Sequence, residues 1–134
     1  MKDMGPNPFV ENIEKLTLEN ETFRTAIWTG AYMQITVMAI QPGDDIGLEV
    51  HKDHDQFLRI EAGEATVYMG DTEEELETWQ ASDDYMIMVP AGKWHNVVNT
   101  GAETLKVYSI YSPPEHSLGT VHETKEEAEE AEEE

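Results

Sequence analysis

Apolar residues along the chain occur in short runs that alternate with polar positions, and Gly, Pro, Asn and Asp separate these runs at short intervals. Such alternation is typical of β-strands, whereas helices show a period of 3.6 residues. Eight strands of this kind suit a jelly roll or small barrel, so we expect an all-β fold. The predicted strands are Thr22–Thr29, Tyr32–Ile40, Gly47–His51, Gln56–Ile60, Ala65–Met69, Tyr85–Val89, Trp94–Asn99 and Leu105–Tyr111.

Turns and short helices complete the predicted pattern. The predicted turns lie at 28–31, 41–45 and 61–64, and each contains a glycine. We expect helix only near Asn12 to Leu16, at Glu73 to Glu77 and in the C-terminal tail. The tail opens with Thr124 and Glu127 in capping-box spacing, which predicts a helix start. Because glutamates crowd the negative end of that helix, we expect a solvated, partly ordered terminus.

The composition excludes several classes of protein. The net charge is −21, from 8 Lys and Arg against 29 Asp and Glu, so nucleic acid is excluded as a partner, because phosphate neutralisation needs clustered basic residues. The chain has no cysteine, so any metal must be held by imidazole and oxygen groups. We find neither a signal peptide nor an apolar run long enough for a membrane span, and we therefore expect a cytoplasmic protein without a membrane partner.

The length of 134 residues suits one domain with a substantial core. We divide it into an N-terminal extension (1–21), the barrel (22–114) and an acidic C-terminal tail (115–134). The N-terminal third exceeds what a minimal barrel requires, and additional apolar strands often pair across a subunit interface. We therefore expect a homodimer.

Two groups of ligand-type side chains bracket the middle of the chain. Glu49 and His51 are two residues apart in a predicted strand, so they share a face, and Gln56 can join them after a polar turn. His95 follows a tight turn within Pro90–Asn99, which fits the spacing P-x-G-x-x-H-x-x-x-N. Such groups are costly to bury unless a cation or a complete hydrogen-bond network satisfies them. Two imidazoles and one carboxylate are typical ligands of iron and manganese, so we predict a divalent metal site.

The same segments resemble the two motifs of the cupin family, over roughly residues 40 to 111. The second motif, G-x5-P-x-G-x2-H-x3-N, is matched at Pro90, Gly92, His95 and Asn99, with Asp84 at the position of its first glycine. The first motif, G-x5-H-x-H-x3-4-E-x6-G, is matched at Gly43, His51 and Gly63, with Glu49 at the first histidine and Gln56 at the glutamate. The resemblance implies an RmlC-like jelly-roll barrel, or double-stranded β-helix, with one divalent metal on Glu49, His51, Gln56 and His95.

The departures from the family motif affect the predicted ligands. Where the family has three histidines and one glutamate, this site would have two histidines, one glutamate and one glutamine. The additional oxygen favours manganese, iron(II) or nickel, and zinc stays an alternative. Gln56 either coordinates the metal or hydrogen-bonds a bound water or the substrate. His54 is an alternative ligand that would displace Gln56 or Glu49, although a histidine at a turn tip is usually solvated.

Other residues are expected to be structural or solvated. His116 and His122 lie beside prolines and the acidic tail, and we expect both at the surface. Five methionines alternate with β-branched and aromatic residues and are predicted to fill the core. They are Met33, Met38, Met69, Met86 and Met88.

The leading functional hypothesis is a metal-dependent enzyme acting on a small oxygenated metabolite, by isomerase, lyase, glyoxalase-like or dioxygenase chemistry. Glu49 is the predicted catalytic residue, because a carboxylate can both coordinate and transfer protons. The alternatives are a non-catalytic small-molecule-binding or sensing module, and a metal-free barrel in which Glu49 and Gln56 hydrogen-bond His51. Similar cupins are often labelled mannose-6-phosphate isomerase-like, which describes the fold.

Overall fold

The computed structural model describes residues 1–133, which form two antiparallel β-sheets and two short helices. The elements are α1 (Ile13–Glu19), β1 (Arg24–Thr29), β2 (Gln34–Ile40), β3 (Glu49–Val50), β4 (Asp55–Ala62), β5 (Ala65–Thr72), β6 (Glu75–Ala81), β7 (Met86–Val89), β8 (Trp94–Asn99), β9 (Leu105–Ser112), β10 (Val121–His122) and α2 (Lys125–Glu133). One sheet has the strand order β10-β1-β2-β9-β4-β7 and the other β3-β8-β5-β6. Neither helix in this range is long and apolar enough to cross a bilayer.

All eight predicted strands are present, and the all-β fold is confirmed. The predicted helix at Glu73 to Glu77 is wrong, because the chain turns at 73–74 and continues as β6, which pairs with β5. Glutamate favours helix over strand by only a fraction of a kcal/mol, and pairing against a neighbouring strand overrides that preference. The short strand β10, which pairs with β1, is a second unpredicted element.

The core lies between the two sheets and is built from alternating residues. On β4, Gln56, Leu58 and Ile60 are buried, whereas Phe57 and Arg59 are partly exposed, as the alternation predicted. Apolar residues of both sheets form one cluster, and each large side chain in it contributes roughly 1.5–3 kcal/mol when buried. Gln56 is the polar member of its inward row, so the interior changes from apolar to polar at the end of the barrel where β4 begins.

Helix α1 covers the outer face of the larger sheet. Asn12 caps it, since its side-chain oxygen accepts a hydrogen bond from the N–H of Lys15 at 3.1 Å. Ile13 and Leu16 pack on an apolar cluster that includes Tyr108. The helix predicted near Asn12 to Leu16 is therefore present and covers one side of the barrel.

The C-terminal helix packs against the barrel through Ala128, while Glu126, Glu127, Glu129 and Glu130 are exposed, so the terminus is solvated on one side only. Ala128 is 4% exposed and belongs to the core cluster. Lys125 forms an ion pair with Asp45, in the loop between β2 and β3. The predicted cap is present, because Thr124 Oγ1 accepts a hydrogen bond from the N–H of Glu127 at 3.2 Å. Two alanines among glutamates give too weak a pattern to predict this docking.

The methionines do not fill the core as predicted. Met38 is buried and Met69 packs at the edge of the core cluster, but the other three are exposed: Met33, Met86 and Met88. On β7 the inward positions are taken by Ile87 and Val89, which places the two methionines of that strand on the outer face. The alternation along β7 was predicted correctly, but the methionines were assigned to the wrong face of the sheet.

Candidate metal centre

Glu49, His51 and His95 come together where β3 pairs with β8. Glu49 and His95 are directly opposite each other in the antiparallel register, and His51 lies two residues beyond Glu49. Glu49 Oε1 lies 3.1 Å from His51 Nε2 and 3.7 Å from His95 Nε2. One ligand atom of each residue lies within 4.8 Å of the other two. The structure thus brings together three of the four predicted ligands.

The turn that precedes β8 connects the two motifs. Gly92 has a φ of +88°, a conformation that glycine adopts without a Cβ penalty, and its N–H donates to the carbonyl of His51 at 2.8 Å. The N–H of Ala91 donates to Asp55 Oδ1 at 2.9 Å. Asn99 is buried and donates to two backbone carbonyls, at 2.8 and 2.9 Å. These residues hold the two motifs in register.

His95 has an orientation suited to metal binding. It is 1% exposed, and its Nδ1 lies 3.1 Å from the carbonyl oxygen of Lys93. A carbonyl can only accept, so Nδ1 carries a proton, and the neutral tautomer that this contact selects has its lone pair on Nε2. Nε2 is buried without a hydrogen-bond partner among residues 1–133, and it faces the carboxylate of Glu49. In that tautomer Nε2 and the carboxylate are two facing acceptors, which is unfavourable in a buried site unless a cation or a proton lies between them.

Glu49 is a carboxylate under all ordinary conditions. Burial raises the pKa of Glu49, but hydrogen bonds and charge interactions with His51 and His95 outweigh it and bring the pKa to about 2. The group is therefore ionised well below neutral pH. An ionised carboxylate between two imidazoles supplies the negative charge that a divalent cation requires.

A second cluster joins His51 to His54 and Glu115. Glu115 Oε2 lies 3.7 Å from His51 Nδ1 and 2.8 Å from His54 Nε2, the latter without the angles of a hydrogen bond. The rings of His51 and His54 are stacked with centroids 4.6 Å apart. His54 is buried, so the expectation of a solvated histidine at the turn tip is wrong. Its burial follows from this stacking and from the carboxylate that covers it.

Glu115 was missed in the sequence because it lies after the last predicted strand, beyond two prolines. Its position depends on Gln34 of β2, which is fully buried. Gln34 Oε1 accepts from the N–H groups of Glu115 and His116 at 3.2 and 2.9 Å, and its Nε2 donates to the His116 carbonyl at 2.9 Å. This amide fixes the backbone that carries Glu115 against the histidines.

Gln56, the fourth predicted ligand, lies on β4 in the facing sheet and is buried. Its Nε2 donates to Ser109 Oγ at 3.3 Å. Its Oε1 is buried and has no hydrogen-bond partner in the described part of the chain. An unsatisfied amide oxygen is costly to bury, so Gln56 retains the capacity to accept a bond from a ligand or a water.

His116 and His122 were expected at the surface, but both are partly buried. The His116 ring packs edge-on against Tyr111, with centroids 5.3 Å apart. Burial, with the nearby Arg24 charge, lowers the pKa of His116 to about 3. His116 is therefore a neutral group beside the centre, which sequence position alone did not indicate.

A family model described as the cupin domain matches residues 36–111, more than half of the chain. The chain is a cupin. It is 56% identical over 129 residues to the uncharacterized protein YrkC of Bacillus subtilis (strain 168), covering 96% of this chain and 69% of YrkC. It is 35% identical over 114 residues to the uncharacterized protein L612 of Acanthamoeba polyphaga mimivirus, covering 84% of this chain and 70% of L612.

Among solved structures, the crystal structure of BH2720 from Bacillus halodurans is similar to this cupin along nearly its whole length. The TM-score is 0.96 at 54% identity, and the match covers 97% of this chain and 99% of BH2720. The predicted jelly-roll fold is thus confirmed, with its terminal segments. The similarity concerns fold and family, since the names of these relatives state no reaction.

The cupin motif also explains the conformation of Asp84. This residue stands at the first glycine of the second motif and has a φ of +73°, the one positive φ of a non-glycine within residues 1–133. Aspartate is among the few residues that adopt this region at low cost. Arg59 Nη2 donates to Asp84 Oδ1 at 2.8 Å, which stabilises the turn before β7. Asp84 thus replaces the glycine of the motif and keeps the positive φ that a glycine favours.

The donors of this cupin fit one divalent cation. Ligand atoms bound about 2.1 Å from one ion lie roughly 3.0–3.4 Å apart, close to the observed 3.1 and 3.7 Å. Two imidazoles and one carboxylate suit manganese, iron, nickel and zinc, and they do not select among them. A metal centre on Glu49, His51 and His95 is therefore compatible with both the geometry and the chemistry of these residues.

Proposed function

We propose that this cupin is a divalent-metal-dependent enzyme that acts on a small oxygenated metabolite. The observation that carries the proposal is the buried Nε2 of His95, which has no hydrogen-bond partner among residues 1–133 and faces the carboxylate of Glu49. When bound, the ion would supply Lewis-acid polarisation of a carbonyl or hydroxyl oxygen. Manganese, iron, nickel and zinc are all retained as candidates.

The protein's own residues hold and orient the centre. The Lys93 carbonyl fixes the tautomer of His95, and Glu115 lies on the outer side of His51, where a carboxylate orients a metal-bound imidazole. Gln56 would accept from a bound water or complete the ligand set through Oε1. His54 supports Glu115 and His51, and we propose it as an orienting residue in place of a ligand.

The reaction is proposed as isomerase, lyase or glyoxalase-like chemistry, with dioxygenase chemistry as the alternative. Glu49 remains the predicted catalytic residue. With a pKa of about 2 it is a weak base near neutrality, which favours its role as a ligand. If Glu49 is catalytic as well as a ligand, the Glu49→Gln variant should show no turnover even when enough metal is added to fill its site. The mannose-6-phosphate isomerase-like label stays a description of fold, and no sugar phosphate is proposed.

The test is metal content after purification without chelator or nickel affinity resin, and after reconstitution with manganese, iron, nickel and zinc. We expect one equivalent in the wild type and in Glu126→Gln, an exposed control, and large losses in Glu49→Gln and His95→Ala. No stoichiometric metal in the wild type under any condition would contradict the proposal. Metal binding without turnover of small hydroxy and oxo acids would favour the non-catalytic binding module.

We also propose that the protein is a homodimer in the cytoplasm. An exposed apolar patch supports the dimer, and it lies where β6 and β7 form the edges of the two sheets. The patch consists of Trp79, Tyr85, Met86 and Met88. Sedimentation equilibrium of the wild type and Met86→Glu tests this, and a wild-type monomer at micromolar concentration would contradict it.

A further inference from the structure

Arg24, the first residue of β1, is a buried arginine outside the set of predicted ligands. It is 3% exposed, although arginine is rarely fully buried unless it is paired. Its guanidinium carbon lies 5.3 Å from the centre of the Phe23 ring, and Nη1 lies 3.1 Å from His122 Nδ1. Its Nε is buried and has no hydrogen-bond partner among residues 1–133. The guanidinium of Arg24 therefore has an N–H donor that makes no hydrogen bond within these residues.

No carboxylate neutralises Arg24 within the described residues, in a chain with 29 acidic residues. Its histidine neighbours do not compensate it. Burial, followed by the charge of Arg24, lowers the pKa of both His116 and His122, so both are neutral. A buried guanidinium without a counter-ion is costly, because arginine remains charged in proteins. An anion from outside the chain would remove that cost.

Arg24 and Glu49 line the same small cavity. Its volume is about 70 Å³, and α2 contributes Lys125, Ala128 and Glu129 to its wall. Lys125 is already paired with Asp45, so Arg24 is the cation of this wall that lacks a carboxylate partner. The volume is enough for a small planar group, since a water occupies about 30 Å³ in the liquid. Arg24 therefore lines a cavity whose wall also includes Glu49, one of the three candidate ligands.

We propose that Arg24 binds a carboxylate group of the substrate in this cavity, beside the metal held by Glu49, His51 and His95. This inference rests on the proposed function and names its substrate class, a small carboxylic acid with an oxygen that can chelate. The planar fork of arginine matches a carboxylate, which accepts two parallel hydrogen bonds. Arg24 is the cation of the cavity wall that lacks a carboxylate partner among the described residues, so a substrate carboxylate would supply the missing counter-ion.

The experiment uses full-length protein reconstituted with cobalt(II), whose visible spectrum reports on ligands near the ion. Glycolate is compared with glycolamide, its neutral analogue, and with inorganic phosphate, in the wild type, Arg24→Gln, Arg24→Lys and Arg59→Gln. Arg59 is the other arginine of the chain, and its partly exposed side chain pairs with Glu61 and Asp84, away from this cavity, so Arg59→Gln is the control. Cobalt affinity is measured first for each protein.

We expect glycolate to bind at least about tenfold more weakly to Arg24→Gln than to the wild type or Arg59→Gln, with glycolamide affinity almost unchanged. Arg24→Lys keeps the charge without the fork and should bind glycolate at least about threefold more weakly than the wild type. If Arg24→Gln does not fold, the Arg24→Lys variant alone tests the inference.

Loss of cobalt from the wild type would contradict the proposed function. Retained cobalt with equal glycolate affinity in the wild type and in a folded Arg24 variant would overturn only the Arg24 inference. Arg24-dependent phosphate binding tighter than glycolate binding would overturn the carboxylate assignment.

Discussion

The two halves of the metal centre differ in how firmly the fold holds them. His95 lies on β8, which pairs with β3 on one side and β5 on the other, and its ring is tied to a backbone carbonyl. Glu49 lies on the two-residue edge strand β3, and His51, His54 and Gln56 follow it through a turn into the other sheet. The half on β8 retains the family motif, and the half around β3 departs from it. The ligand held by the central strand is thus the one that keeps the family motif, and the residues around the edge strand are the ones that differ from it.

Replacing His95 should have the largest effect. His95→Ala removes the ligand whose orientation the fold fixes, so metal affinity should fall by more than about 100-fold, beyond the loss typical of an orienting residue. Metal titration followed by equilibrium dialysis measures this, and a folded His95→Ala with wild-type affinity would remove His95 from the centre. His122→Ala is the matched control, since it changes a histidine outside both clusters and should leave affinity within a few fold.

Glu115 should have a smaller effect, because it acts through His51. Glu115→Gln keeps the volume and the Gln34 contacts of the backbone but removes the carboxylate beside the two imidazoles. We expect metal affinity to fall by about 10- to 100-fold, with metal stoichiometry unchanged at saturation. A folded Glu115→Gln with wild-type metal affinity would contradict its role beside His51.

Gln56→Glu restores the residue of the family motif in the variable half. If Gln56 Oε1 faces the ion as we propose, the added carboxylate should raise metal affinity by about tenfold and destabilise the metal-free protein, because a buried charge then lacks a partner. Metal titration and thermal unfolding with and without chelator measure the two effects. Lower affinity together with lower stability would place Gln56 outside the centre.

The smallest effect concerns Asp45, which connects the loop before β3 to β8 and to α2. Burial raises the pKa of Asp45, but hydrogen bonds from Asn96 and Lys125 outweigh it, so the pKa lies below the usual 3.8. Because the folded state favours the ionised form, this stabilisation is complete above about pH 4 and is lost as the pH falls further. Asp45→Asn should therefore cost about 1–2 kcal/mol at pH 7 and less at pH 3. Urea unfolding at both pH values checks this, and an equal cost at both would contradict it.

The strands and the ligands within the two motifs could be predicted because they rest on local patterns. Alternation identified eight strands, and the i, i+2 spacing of Glu49 and His51 placed them on one face. Strand β6 was missed because its start is rich in glutamate, whose helix preference is visible locally while its pairing with β5 is not. Contacts between residues far apart in sequence leave no local pattern either, so the surroundings of individual side chains could not be predicted.

Glu115 and Arg24 illustrate this limit at the site itself. Glu115 reaches His51 and His54 only because the buried amide of Gln34 holds the segment after β9, some 80 residues away in sequence. Arg24 is buried because β10 and α2 close over the start of β1. Neither residue lies in a motif, and neither has a neighbour in sequence that indicates its surroundings.

The central claim is that one divalent ion binds Glu49, His51 and His95. A crystal of the manganese-reconstituted protein, measured at the manganese absorption edge, tests it most directly. We predict a single anomalous peak about 2.1–2.3 Å from Glu49, His51 Nε2 and His95 Nε2. A peak held by His51, His54 and Glu115 instead, or no peak at full manganese loading, would contradict the account.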